Sequence, residues 1–371
     1  MGGPSHPCRI GHGSGNKNPT QGKGTMQEPV SPSTHYESKR RRDHGFTPQP
    51  WARNAHVQSI FASLKLRALG TNEMVEASRE LILDCAKNVR LLGYYSPHPR
   101  GKALVLLLHG WEGSVDSTYI LHSGRYFYRS NFDIFRLNLR DHGDTHHLNE
   151  GIFHGALLNE VVEATHRVAE LSAGRPFFIV GFSLGGNFAL RIARSHRIRP
   201  IAGLRHIVCV SPLLDPYKAT LCIDNGMPIY RYYFRKKWKQ SLKRKESLFP
   251  NLYDFKDILQ LHSTLEMTDL LIQRYSNFSN YREYFNQYTL LDNALTDLTI
   301  PVTVIASEDD PVIPAGDFHE LKKNSFLKLD IQPYGGHCGF LDPFPFGCWY
   351  ESQCTSIFDS CIEASHQYEP L

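Results

Sequence analysis

The sequence has no apolar run long enough to cross a bilayer: a stretch such as residues 103–108 falls far short of the roughly 18 residues a span requires. No secretory hydrophobic region follows Met1. Paired cysteine spacing is absent as well. Cys8, Cys85, Cys209, Cys222, Cys338, Cys348, Cys354 and Cys361 are scattered, and they read as reduced thiols of a protein expected in the cytoplasm. There is little excess of one charge. A formal net charge of +4 does not by itself point to nucleic acid, and no nucleic-acid partner is expected. No internal repeat is visible. What is present is a chain of 371 residues, 41% hydrophobic, which is enough for one large core.

The first residues stand apart. Residues 1–43 are rich in Gly, Pro, Ser and His with almost no core-forming side chains, so a disordered basic tail is expected over 1–45. Its Lys39-Arg40-Arg41-Arg42 run reads as a solvated tail. Gly2 is a poor myristoylation candidate, because His6 stands where Ser or Thr is wanted.

Gly181-Phe182-Ser183-Leu184-Gly185 fits G-x-S-x-G, the pattern of a nucleophile elbow. An apolar strand pattern, 176–180, precedes it and a helix pattern, 186–193, follows. The motif requires that strand-turn-helix setting. The serine sits on a tight turn, and the flanking glycines let strand and helix approach without Cβ clashes. The helix N-terminus favours the negative charge of an acyl-transfer intermediate.

Partners for Ser183 follow in the order Ser, acid, His. The pair Asp309-Asp310 lies just past an apolar run at 301–306, on the strand edge where open α/β sheets carry their sites. Both acids are candidates. Asp310 is preferred, because it precedes Pro311 and stands four residues before Pro314. His337 follows a last strand pattern, and Gly335, Gly336 and Gly339 suggest a mobile loop that can swing an imidazole over the serine. The oxyanion hole is expected from the backbone amides of Leu184 and Trp111, the latter in His109-Gly110-Trp111-Glu112-Gly113 after the strand at 103–108. His109 reads as a structural histidine that bonds this loop.

Strand patterns at 80–84 and 89–95 form an antiparallel hairpin, and others follow at 103–108, 132–138, 177–180, 207–210, 302–306 and 327–331. Helical patterns, for example 156–171 and 186–195, lie between most of them. The alternation implies an α/β fold with a mostly parallel, doubly wound sheet. Residues 215–292 interrupt it as a helical insertion, rich in aromatic residues that suit either an acyl pocket or helix packing. Within it, 231–246 is a basic amphipathic helix with Phe234, Trp238 and Leu242 on one face. Peripheral membrane contact near these three is one reading; a packed stripe with a solvated basic rim is the preferred one.

Four blocks resemble the YheT-like branch of the alpha/beta-hydrolases (AB hydrolase family 4). They are Phe46-Thr47-Pro48-Gln49-Pro50-Trp51-Ala52-Arg53-Asn54-Ala55-His56-Val57-Gln58-Ser59-Ile60, His109-Gly110-Trp111-Glu112-Gly113-Ser114, Gly181 to Asn187, and Asp309-Asp310-Pro311 with Gly336-His337. The likeness covers about residues 46–365. It implies an alpha/beta-hydrolase domain at 46–371, with an eight-stranded sheet flanked by helices on both faces and a helical cap at 215–292. It implies carboxylester hydrolysis, often of lipid-like acyl esters, with Ser183, Asp310 and His337 as the triad and no cofactor or metal. The segment from Arg140 to His147 departs from the glycine-rich loop that the resemblance leads one to expect.

Other constellations carry less chemistry. Asp141, His142, Asp144, His146 and His147 cluster in sequence, but a polar loop is a simpler account than a metal site. Arg191, Arg194, Arg197 and Arg199 read as an exposed face after the nucleophile helix. The expected chemistry is two-step acyl transfer to water. Thioester or amide cleavage, transfer to an alcohol, and ligand binding without turnover are the alternatives.

Overall fold

The computed structural model describes residues 45–68, 70–342 and 347–366. The expected tail at 1–45 lies almost entirely outside them. Eight strands form one sheet: β1 (Arg79–Cys85), β2 (Val89–Ser96), β3 (Ala103–Leu108), β4 (Phe132–Leu137), β5 (Phe177–Phe182), β6 (Leu204–Val210), β7 (Val302–Ser307) and β8 (Leu327–Gln332). Their order is β1-β2-β4-β3-β5-β6-β7-β8. The β1–β2 and β2–β4 pairs are antiparallel and the other five are parallel. The helices are α1 (Ala55–Ala62), α2 (Glu73–Glu76), α3 (Thr118–Arg129), α4 (Leu158–Glu170), α5 (Leu184–His196), α6 (Pro216–Asn225), α7 (Pro228–Leu248), α8 (Lys256–Gln260), α9 (Thr264–Tyr275), α10 (Tyr281–Asn286), α11 (Gly316–His319) and α12 (Trp349–His366).

The strand periodicity of two builds a core on each face of the sheet. Along β3, Leu104, Leu106 and Leu108 point to one side, into a core shared with Val161 and Val168 of α4 and Phe188 and Ile192 of α5. Ala103, Val105 and Leu107 point to the other, against Ile120 and Phe127 of α3 and Phe358 of α12. All six β3 residues are buried, as a strand covered on both faces requires.

Two expectations shift. Strand β5 continues past Val180 to Phe182, because Gly181 and Phe182 still pair with Cys209 and Val210 of β6. Arg191 is not on an exposed face: it is buried, donates to the Gly155 carbonyl at 2.6 Å, and lies over the Phe188 ring. Burial pulls its guanidinium down to about 10. Arg194 and Arg197 do reach outward, to Asp297.

Helices α6 to α10 lie between β6 and β7. Trp238, Phe255, Ile258, Met267 and Leu271 give this insertion a small core of its own, which includes Ile152 from the loop after β4. Among the described residues, no helix is long and apolar enough to cross a membrane. No disulfide joins the cysteines among the described residues to one another.

Candidate active site

Ser183 occupies the turn between β5 and α5 with φ 52° and ψ −117°, a strained conformation for a non-glycine residue. The surroundings hold it there. Its N–H donates to the Val210 carbonyl at 3.0 Å, and its own carbonyl accepts from Asn187 at 3.0 Å and Leu213 at 3.1 Å. The flanking glycines are required by space. A Cβ on Gly181 would lie 2.4 Å from the Gly185 carbonyl oxygen, and one on Gly185 would lie 2.3 Å from that of Leu108.

The structure brings Ser183, Asp310 and His337 together. His337 Nε2 lies 3.0 Å from Ser183 Oγ, and its Nδ1 lies 2.9 Å from Asp310 Oδ2. The other Asp310 oxygen accepts from the amides of Val312 at 2.8 Å and Ile313 at 2.9 Å, which fixes the carboxylate. Asp309 points elsewhere: its Oδ1 accepts from Gly336 N–H at 2.8 Å. The two adjacent acids therefore divide the work, one on the imidazole and one on the loop that carries it. Burial opposes the charged imidazole. The Asp310 carboxylate outweighs it and holds His337 well above its ordinary range.

The histidine loop is pinned, in contrast to the mobile loop that its glycines suggest. His337 N–H donates to Ser59 Oγ at 2.8 Å, and Leu341 N–H to Gln58 Oε1 at 2.7 Å. Both partners sit on α1, which Asn54 caps by accepting from His56 and Val57. Ser307 Oγ adds a bond to the Gly336 carbonyl at 2.9 Å. Sequence reasoning marked the block around Gln58 and Ser59 but gave it no role. The buttress depends on contacts between residues 278 and 283 positions apart.

Leu184 is the first residue of α5, and Trp111 lies in the loop after β3. Neither amide donates to a protein acceptor among the described residues. A Cβ on Gly110 would stand 3.2 Å from Ser183 Cβ, so the loop passes close over the elbow. His109 locks this loop: Nδ1 bonds the Gly110 carbonyl at 2.8 Å and Nε2 accepts from Leu139 N–H at 3.1 Å. Tyr119 Oη takes the Gly110 amide at 2.9 Å. Glu112 lies beside them, and burial pushes its carboxyl up to about 8 against the pull of Lys237.

Apolar side chains from the insertion cover the serine. The Trp111 ring stacks on Phe234 at 5.5 Å and meets Trp238 edge-on at 5.2 Å. Trp238 and Leu242 are buried. The Phe234, Trp238 and Leu242 stripe thus faces inward, which fits the preferred reading of a packed stripe. Ser183, Leu184 and Trp111 border a pocket of about 810 Å³ of empty space, counting its open mouth. Ile223, Leu271 and Ile272 line its far side.

The polar loop after β4 turns toward protein partners. Asp141 pairs with Lys245 at 2.8 Å, Asp144 with Arg244, and His146 with Ser241 at 2.8 Å. His142 Nδ1 bonds the Arg140 carbonyl at 2.7 Å. The side chains that converge as metal ligands would are instead His122, Cys348 and Glu351, all buried. Arg67 already donates to Cys348 Sγ at 3.0 Å, and His122 and Ser123 already bond Glu351. Burial pushes the Cys348 thiol up to about 12. A guanidinium at the thiol and a protonated sulfur fit a hydrogen-bond network better than a metal centre.

Comparison with known proteins agrees with this architecture. The Alpha/beta hydrolase family profile matches residues 105–346. The chain belongs to the alpha/beta hydrolase family. Phospholipase ABHD3 of Mus musculus is 23% identical over 337 residues, covering 86% of this chain and 78% of that protein. The monoacylglycerol lipase of Saccharomyces cerevisiae is 22% identical over 280 residues, covering 70% of this chain and 61% of that protein. A thermostable carboxyl esterase from Bacillus coagulans superposes with a TM-score of 0.50 at 19% identity, over 77% of this chain and 99% of that one, a likeness of fold.

Proposed function

We propose that this alpha/beta hydrolase is a serine esterase that cleaves acyl or lipid-like carboxylic esters. The Ser183–His337–Asp310 chain of hydrogen bonds at the mouth of an apolar pocket carries the reading. The relatives named phospholipase and monoacylglycerol lipase support an ester substrate. In this reading residues 46–371 are one hydrolase domain and 215–292 its cap, and the resemblance of the 46–60 block supports membership of the YheT-like branch.

Neutral His337 takes the Ser183 proton as Oγ attacks the ester carbonyl. Asp310 holds the imidazole with Nδ1–H toward itself, which leaves Nε2 free to accept. The amides of Leu184 and Trp111 receive the oxyanion, with the α5 N-terminus adding its dipole. His337 then gives its proton to the departing alcohol. Water repeats the sequence on the acyl-enzyme and releases the acid. The pocket holds the acyl chain between Trp238, Ile223 and Leu271.

Hydrolysis of p-nitrophenyl esters from short to long acyl chains tests this. The expected outcome is turnover that rises beyond acetate as the chain fills the pocket, and that falls at least roughly 1,000-fold in Ser183→Ala. Equal turnover in wild type and Ser183→Ala overturns the reading.

A further inference from the structure

Helix α7 has two faces of different character. Phe234, Trp238 and Leu242 turn inward, and the first two line the pocket. The opposite face carries Ile229, Tyr232, Lys236 and Lys243, three to four residues apart or at multiples of a turn, all exposed to solvent. Ile229 is 48% exposed and Tyr232 61%. The Lys236 ammonium lies 5.5 Å from the Tyr232 ring centre, so aromatic surface and charge form one patch.

Charge on this helix is one-sided. It has eight Lys and Arg residues and a single acid, Glu246. Among the described residues, only Arg244 and Lys245 of the eight pair with a carboxylate. Arg231, Arg235, Lys237 and Lys239 donate to backbone carbonyls, which leaves their charge uncompensated. The start of the helix also contacts helix α1. Tyr230 Oη meets His56 Nδ1 at 3.0 Å, on the same helix α1 whose Ser59 holds His337.

We propose that the outward face of α7 docks the protein on an anionic lipid bilayer, with Ile229 and Tyr232 in the interface and Lys236 and Lys243 over the headgroups. Cations beside exposed aromatic and aliphatic side chains are the composition that an anionic interface attracts. The docked face is the back of a pocket wall, so docking would bring the pocket that holds Ser183 close to the bilayer and its esters. This supply of substrate rests on the esterase reading; the docking itself does not.

Co-sedimentation of the full chain with vesicles tests the proposal. One set is phosphatidylcholine alone and the other carries about one-third phosphatidylserine. The expected result is at least roughly tenfold more binding to the anionic vesicles, most of it lost between about 0.05 M and about 0.5 M salt. K236E/K243E lowers that binding about tenfold or more, at a cost of several-fold per cation. I229S/Y232S lowers it several-fold even at low salt. Both variants keep hydrolysis of a short soluble ester within about twofold of wild type, because none of these side chains touches the pocket. Ser183→Ala binds vesicles as wild type does, so failure of docking and failure of catalysis are read separately. Equal binding to both vesicle types, binding to neither, or variants that bind as wild type does would overturn it.

Discussion

Ser183 keeps its strained turn because three backbone hydrogen bonds and two flanking glycines leave the chain no other path. The same economy governs Asp309 and Asp310, adjacent residues with unlike partners. Asp310→Asn removes the carboxylate facing the imidazole and is expected to lower kcat/KM by roughly 1,000- to 10,000-fold. Asp309→Asn disturbs the Gly336 and Ser307 contacts and is expected to cost about tenfold, with about 1 kcal/mol of stability. A pH–rate profile separates the roles further. In the proposed mechanism His337 must be neutral to act, and Asp310 holds it well above its usual range. The acid limb of kcat/KM is therefore expected above about pH 6.5. In the residual activity of Asp310→Asn that limb moves to lower pH, whereas Asp309→Asn leaves it in place.

At the scale of elements, helix α1 and the histidine loop form one unit. Ser59→Ala removes the acceptor for His337 N–H and is expected to reduce kcat several-fold with KM nearly unchanged, since no pocket residue moves. Ser59→Thr, which keeps the hydroxyl, is expected to restore most of it; steady-state kinetics on a soluble ester checks both. This pairing shows where the sequence was readable. The elbow declares itself locally, as strand, glycine-flanked serine and helix, and the apolar runs of β3 and β7 mark buried strands by continuity. All eight strands were visible that way, with ends displaced by up to three residues, as at β6, where pairing with β5 extends the strand. Contacts between distant segments were not legible. Nothing near Gly335 and Gly336 announces that Ser59 and Gln58 will immobilise them. Arg191 carries no local sign that Gly155 and Phe188 will bury it. The amphipathic period of α7 was readable, but which of its faces meets the core was decided by Trp111.

For the whole molecule, the insertion and the sheet are joined through a buried ion pair. Lys245 of α7 reaches Asp141 at 2.8 Å and the carbonyls of Asn149 and Gly151 at 2.7 Å and 3.1 Å, with almost no solvent exposure on either side chain. Burial lowers the Lys245 ammonium and raises the Asp141 carboxyl, and each partner opposes that change in the other. Lys245→Met leaves a carboxylate buried without its cation and is expected to cost about 3–5 kcal/mol in urea unfolding. The double variant Lys245→Met/Asp141→Asn is expected to recover part of that loss. With the wall so anchored, Trp111, Phe234 and Trp238 stay stacked over the serine, and the site is presented as a formed pocket. The most direct test of the account is intact-mass analysis after reaction with an alkyl fluorophosphonate, with the labelled peptide mapped. The expected result is one adduct per chain, on Ser183, absent in Ser183→Ala and formed far more slowly in His337→Ala. No adduct, or an adduct on another residue, would contradict it.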